Sequence, residues 1–71
     1  MIQEPFWLIW SNGDETRVFI DYPDEIKDKP SEIAKYLEKW FNYPTKVTYR
    51  GLKRFRWKMP SLRSFYVEVI K

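Results

Sequence analysis

The chain has 71 residues, a formal net charge of +3, 20% aromatic residues, and neither Cys nor His. This length allows one domain (residues 1–71), whose large aromatic side chains compensate for a small core. The composition excludes a disulfide framework, a thiolate nucleophile, the usual zinc ligands and the commonest general base. We find neither a secretory signal pattern nor an apolar run of ~20 residues, so we expect a cytoplasmic protein.

The first predicted element is a β-hairpin. Residues 6–10 form a run of aromatic and β-branched side chains, and residues 16–22 alternate with period two. Asn12-Gly13 between them is typical of a two-residue type I′ turn. This loop would place Ser11 opposite Asp14 and fix the register. The facing pairs are then Trp7 with Val18, Ile9 with Thr16, Phe6 with Phe19, and Leu8 with Arg17.

A single helix is predicted in the segment PSEIAKYLEKWFN. Pro23 ends the second strand, and a polar connection over residues 24–29 leads to the helix, which Asp28 or Ser31 can cap with Pro30 in the first turn. One apolar stripe has the helical spacing. It consists of Ile33, Ala34, Leu37, Trp40 and Phe41. Pro44 disfavours helical backbone just before it and so limits the helix.

The last third of the chain alternates like strands. Residues 46–50, 54–59 and 62–70 are three predicted strands, separated by a turn in residues 51–53 and a break at Pro60. The element order is therefore β-β-α-β-β-β. We predict a small α+β fold with a mostly antiparallel sheet and one helix packed on one face.

One helix covers one face of the sheet, so the strand residues divide into two sets. The face covered by the helix is predicted to contain Trp7, Ile9, Val18, Ile20, Phe55, Trp57, Phe65, Val67 and Val69. The open face is predicted to contain Phe6, Leu8, Trp10, Phe19, Tyr66, Arg17, Arg50, Arg54, Arg56 and Lys58. Rings beside cations on an open sheet can stack bases while the cations contact phosphates. The alternative is that these rings complete the core.

Charge is segregated along the chain. Residues 1–43 hold five basic and nine acidic side chains (net −4), and residues 44–71 hold eight basic and one acidic (net +7). A basic segment with interleaved aromatics is typical of a surface that contacts phosphate. The predicted phosphate contacts are Arg50, Lys53, Arg54, Arg56, Lys58 and Arg63. The predicted stacking residues are Trp10, Tyr49 and Tyr66.

We predict that Arg54, Arg56 and Lys58 project together from one strand, at intervals of ~7 Å. Two alternatives explain the same cations without nucleic acid. They could protect an edge strand from aggregation, or they could contact a protein partner with an acidic surface. Upstream, the chain has four acidic residues that fit no calcium-loop motif: Asp21, Asp24, Glu25 and Asp28. We interpret them as a favourable interaction with the helix dipole and not as a metal site.

The sequence favours a non-enzymatic protein that binds DNA or RNA through phosphates, with no cofactor and no metal. No serine has a histidine to activate it, and no phosphate-binding glycine loop is present. The alternative is a protein–protein interaction module, an inhibitor or adaptor, or a homodimer that uses the apolar first strand. A third hypothesis is a purely structural domain.

Overall fold

The computed structural model describes residues 1–54, 57 and 60–70, and it confirms the small α+β fold. A four-stranded mixed sheet packs against one α-helix. The elements are β1 (Ile2–Trp10), β2 (Glu15–Tyr22), a 3₁₀ turn (Asp24–Ile26), α1 (Pro30–Trp40), β3 (Thr45–Lys53) and β4 (Leu62–Val69). β2 ends immediately before Pro23, as the sequence predicts.

The strand order is β2-β1-β4-β3, so the two terminal strands of the chain lie in the middle of the sheet. β1 pairs antiparallel with β2 and parallel with β4, and β3 pairs antiparallel with β4. Phe6 and Leu8 of β1 are fully buried. The apolar first strand is therefore covered within the chain, between two neighbouring strands and under the helix.

The predicted hairpin forms, but its register is one residue from the predicted one. Phe6 lies opposite Val18, and Leu8 lies opposite Thr16. The Gly13 amide donates to the Trp10 carbonyl (2.9 Å), and the Trp10 amide donates to the Asp14 carbonyl (2.8 Å). The loop therefore has three residues.

The side chain of Asn12 explains this longer loop. Its Oδ1 accepts a hydrogen bond from the Asp14 amide (2.9 Å), which is an Asx turn. Gly13 has a φ of +96°, whereas no non-glycine residue in the described ranges has a positive φ. A type I′ turn needs positive φ at both central residues, and this loop instead fits a turn closed by a glycine bulge.

The changed register exchanges the two faces of β1. Phe6, Leu8 and Trp10, predicted on the open face, pack on the helix side, whereas Trp7 and Ile9 lie on the opposite side. A one-residue shift moves every side chain of a strand to the other face, which explains the error. β2 and β4 keep their predicted faces. Val18, Ile20, Phe65 and Val67 all contribute to the core under α1.

The helix begins at Pro30, but neither Asp28 nor Ser31 caps it. Lys29 occupies the N-cap position and makes no side-chain capping bond. Pro30 is the first helical residue, where an amide would have no partner inside the helix, and its φ is preset for a helix. Three residues of the predicted stripe are buried (Ile33, Ala34 and Leu37), and Phe41 packs against the core. The fifth, Trp40, is 52% exposed.

The turn predicted over residues 51–53 is wrong, because β3 continues to Lys53. The strand has a bulge between Tyr49 and Gly51, and Gly51 has a φ of +100°. In the strand predicted over residues 54–59, Arg54 and Trp57 lie outside any strand. Phe55, Arg56, Lys58 and Met59 lie outside the described residues. Across the described part of the chain, the element order is therefore β-β-α-β-β.

Candidate nucleic-acid interface

The sheet has one face under α1 and one face without a helix, which we call the helix-free face. Alternation along each strand decides which side chains reach it. Its rings and cations come from all four strands. The exposed or partly exposed ones are Arg17 and Phe19 of β2, Lys46 and Arg50 of β3, and Tyr66 of β4, whereas Trp7 of β1 lies on the same side but is buried (6% exposed).

The first ring–cation pair of this face joins β3 and β4. The guanidinium carbon of Arg50 lies 4.3 Å from the centroid of the Tyr66 ring. Arg50 is exposed, and Tyr66 is partly exposed. A cation over an aromatic face at an exposed site contributes ~0.5–1 kcal/mol, which is enough to favour this orientation of the guanidinium.

The bulge in β3 is what places Arg50 over this ring. Tyr49 pairs with Phe65 and Gly51 pairs with Ser64, so Arg50 is the extra residue between two register positions. The Ser64 hydroxyl donates to the Gly51 carbonyl (2.9 Å) and fixes the bulge. A bulge bends a strand and redirects its side chains.

The second ring–cation pair lies on β2. The guanidinium carbon of Arg17 is 5.2 Å from the centroid of the Phe19 ring, and both side chains are exposed. Phe19 is 56% exposed although it is a large apolar residue. Arg17 and Phe19 alternate with Val18 and Ile20, which face the core. This alternation is the signal by which the sequence could have added Arg17 and Phe19 to the predicted site.

The two pairs are far enough apart to contact different nucleotides. Arg17 lies opposite Trp7, which pairs with Ser64, and Tyr66 follows two residues later. Two strand spacings of ~4.8 Å and two residues of ~3.3 Å separate Arg17 from Tyr66 by about 12 Å. Successive phosphates of one duplex strand advance ~3.4 Å along the axis, so the two pairs would contact nucleotides that are not adjacent.

The other predicted phosphate contacts near this face have partners or lie outside the described residues. Lys53 forms an ion pair with Glu15, which joins the two edge strands of the sheet. Arg54 is exposed, and its Nη1 donates to the carbonyl of Trp57 (2.9 Å). The predicted alignment of Arg54 with Arg56 and Lys58 cannot be described, because those two residues are outside the described ranges.

Three predicted site residues lie on the helix side of the sheet. Tyr49 packs its ring against Phe65, with centroids 5.3 Å apart. Trp10 packs edge-on against Phe41 (5.6 Å), and its Nε1 donates to the Thr16 hydroxyl (3.1 Å). The third residue is Arg63, described next. The structure therefore brings together Arg50 and Tyr66, but not Trp10, Tyr49 or Arg63.

Arg63 belongs to a small polar network with Glu4 and Tyr22. Its Nε lies 3.0 Å from Glu4 Oε1, and the Tyr22 hydroxyl donates to Glu4 Oε2 at 2.5 Å. Tyr22 is 1% exposed. Burial, together with the hydrogen bond to the Glu4 carboxylate, raises the pKa of Tyr22 to about 12. These contacts assign Arg63 a role in stability.

Comparison with known proteins identifies no relative: no protein-family model, curated protein or solved structure matches this chain. In the part of the chain that the structure describes, no helix is long and apolar enough to cross a bilayer. Within residues 1–54, 57 and 60–70, no three acidic side chains gather where they could hold a metal ion.

Proposed function

We propose that this chain is a cytoplasmic, non-enzymatic protein that binds single-stranded nucleic acid on its helix-free face. The observation that carries the proposal is the exposed Arg50 guanidinium over the Tyr66 ring, with a second such pair, Arg17 and Phe19, on the same face. Rings that are accessible on a sheet can stack unpaired bases, and neighbouring cations can neutralise phosphates.

Charge on the two sides of the sheet supports this choice of face. The described cations of the helix-free face and its border are Arg17, Lys46, Arg50, Lys53 and Arg54, against Glu15, Asp21 and Glu68. The 3₁₀ turn, α1 and the segment between them (residues 24–40) hold five acidic side chains against four lysines, a net charge of −1. A polyanion would therefore meet a more favourable potential on the helix-free face.

The proposed contacts involve backbone phosphates and base faces, so we expect little sequence preference. Stacking tolerates any base because every base has an aromatic face. Phosphate contacts fix the position of the strand and carry no direct sequence information. Three such contacts, from Arg17, Arg50 and Arg54, would give a slope of about −2 for log affinity against log salt on single strands.

Fluorescence anisotropy with labelled single-stranded and duplex oligonucleotides of mixed sequence tests the proposal. We expect binding at low salt, tighter for single strands than for duplex. Arg50→Ala should weaken it by about tenfold, which corresponds to the ~1.4 kcal/mol of one charge-assisted contact. Lys39→Ala is the matched control, because it removes one positive charge from the exposed face of α1.

Two results would overturn the proposal. The first is the absence of binding to any of the oligonucleotides at low salt. The second is an equal loss of affinity in Arg50→Ala and Lys39→Ala, because net charge alone would then explain the binding.

A further inference from the structure

A second surface lies at the outer edge of β3, on the side of the strand away from β4. β3 is an edge strand of the sheet. The amide of Val47 donates to Glu38 Oε1 of α1 at 2.8 Å, so this amide points away from β4. In an antiparallel pair, main-chain groups alternate between the partner and the opposite side. The main-chain groups of Thr45 and Tyr49 therefore face the same open edge as those of Val47.

A groove runs between this edge and α1, with a volume of about 550 Å³. The floor of the groove includes Ala34 of α1 and Val47 of β3, both buried. Its borders are polar and include Ser31, Lys35, Glu38, Lys46 and Thr48. The groove therefore combines main-chain hydrogen-bonding groups on one wall with an apolar floor.

We propose that this groove binds an extended peptide that adds a fifth strand beside β3. Main-chain donors and acceptors at regular intervals along a strand edge are complemented by the backbone of another strand. The alternate side chains of such a peptide would point into the groove, where Ala34 and Val47 favour apolar residues. Its other side chains would lie on the helix-free side of β3.

Charge on β3 decides what those other side chains should be. Lys46 lies on the helix-free side and borders the groove, so an acidic residue of the peptide would face it. Arg50 lies on the same side of β3, on the other side of Thr48, with its guanidinium over Tyr66 of β4. Two copies of β3 would bring like charges to one face, and would place Lys46 directly opposite Arg50 in the register centred on Thr48. We therefore assign the groove to a peptide that alternates apolar and acidic residues, and not to a second copy of this chain.

Glu38 occupies the position that the peptide would need. Its carboxylate oxygen accepts the Val47 hydrogen bond that a peptide carbonyl would accept. Binding must therefore displace Glu38, and removal of its side chain should tighten binding. For a hydrogen bond to a charged group, we expect a gain of about tenfold or more in Glu38→Ala.

The experiment is a titration of the ¹⁵N-labelled protein with a short peptide of alternating glutamate and valine, followed through the amide resonances. We expect saturable shifts at Thr45, Val47 and Tyr49, and none at Arg17 and Phe19 on the opposite edge. The control is the same peptide with N-methyl groups on the amides of one strand edge. It keeps the side chains but cannot donate the main-chain hydrogen bonds to β3, so it should not bind. A peptide of alternating lysine and valine should bind at least tenfold more weakly.

Three variants separate the parts of the proposal. Glu38→Ala should tighten binding, whereas Glu38→Gln, which keeps an acceptor oxygen and removes the charge, should change it less. Lys46→Glu should reverse the preference between the acidic and the basic peptide. Because the amide shifts are measured without nucleic acid, their absence would leave the proposed function of the helix-free face unaffected.

Three outcomes would overturn the inference. One is that the glutamate–valine peptide causes no shifts, or shifts that lie elsewhere on the protein. Another is equal binding of the acidic and basic peptides. The third is a concentration-dependent shift of the β3 amides without peptide, which would identify a second copy of this chain as the occupant.

Discussion

Ionisation of Tyr22 should destabilise the protein at alkaline pH. The folded-state pKa is about 12, against an ordinary value of 10.0. Because folding raises this pKa, the folded state holds the proton more tightly than the unfolded state. The stabilisation is therefore complete below pH 10 and is lost as the pH rises toward 12. At 1.36 kcal/mol per pKa unit, the difference amounts to about 2–3 kcal/mol.

Urea unfolding of the wild type and of Tyr22→Phe, at a series of pH values, measures this loss. Other tyrosines and the lysines also titrate in this range, so the informative quantity is the difference between the two proteins. The free energy of unfolding of the wild type should fall relative to Tyr22→Phe by about 2–3 kcal/mol from below pH 10 to pH 12. A difference independent of pH would refute the raised pKa of Tyr22 in the folded state.

Three other substitutions test the fold and the division of roles. Leu8→Ala should cost about 2–5 kcal/mol in urea unfolding, because Leu8 is fully buried, and a cost below ~1 kcal/mol would contradict the observed register. Gly13→Ala should lower stability by about 1–2 kcal/mol in thermal unfolding, from its positive φ alone, since nothing lies within 4 Å of the added Cβ. Arg63→Ala should destabilise by about 1–3 kcal/mol, because Glu4 loses its ion-pair partner and keeps only the hydrogen bond from Tyr22. Its oligonucleotide affinity should match that of Lys39→Ala, and a larger loss would place Arg63 in the interface.

Local sequence patterns predict the helix and the four strands of the described sheet, but not the continuation of β3 to Lys53. The alternation around Val18 and Val47 and the helical spacing of Ile33 and Leu37 reflect period-two and period-3.6 burial. The register of β1 against β2 could not be predicted from this periodicity, because it depends on the length of the hairpin loop. The dipeptide Asn12-Gly13 is compatible with two loop lengths, and hydrogen bonds to Asp14 and Trp10 select the longer one.

The candidate site could be predicted only in part, for the same physical reason. The positions of Arg50 and Tyr66 on the helix-free face could be predicted, because β3 and β4 alternate regularly up to the bulge. Trp10 reaches the other face because of the loop length. The ion pair of Lys53 with Glu15 joins residues far apart in sequence, and no local pattern encodes such a contact.

The most direct test of nucleic-acid binding on the helix-free face compares Tyr66→Ala with Tyr43→Ala in the single-strand anisotropy assay. Both substitutions remove a tyrosine with an exposed part, but Tyr43 lies beyond the end of α1, beside Phe41. Loss of one stacked base corresponds to ~1–3 kcal/mol, so Tyr66→Ala should weaken binding about 5- to 150-fold. Tyr43→Ala should bind like the wild type. Equal affinity of Tyr66→Ala and the wild type would contradict the account.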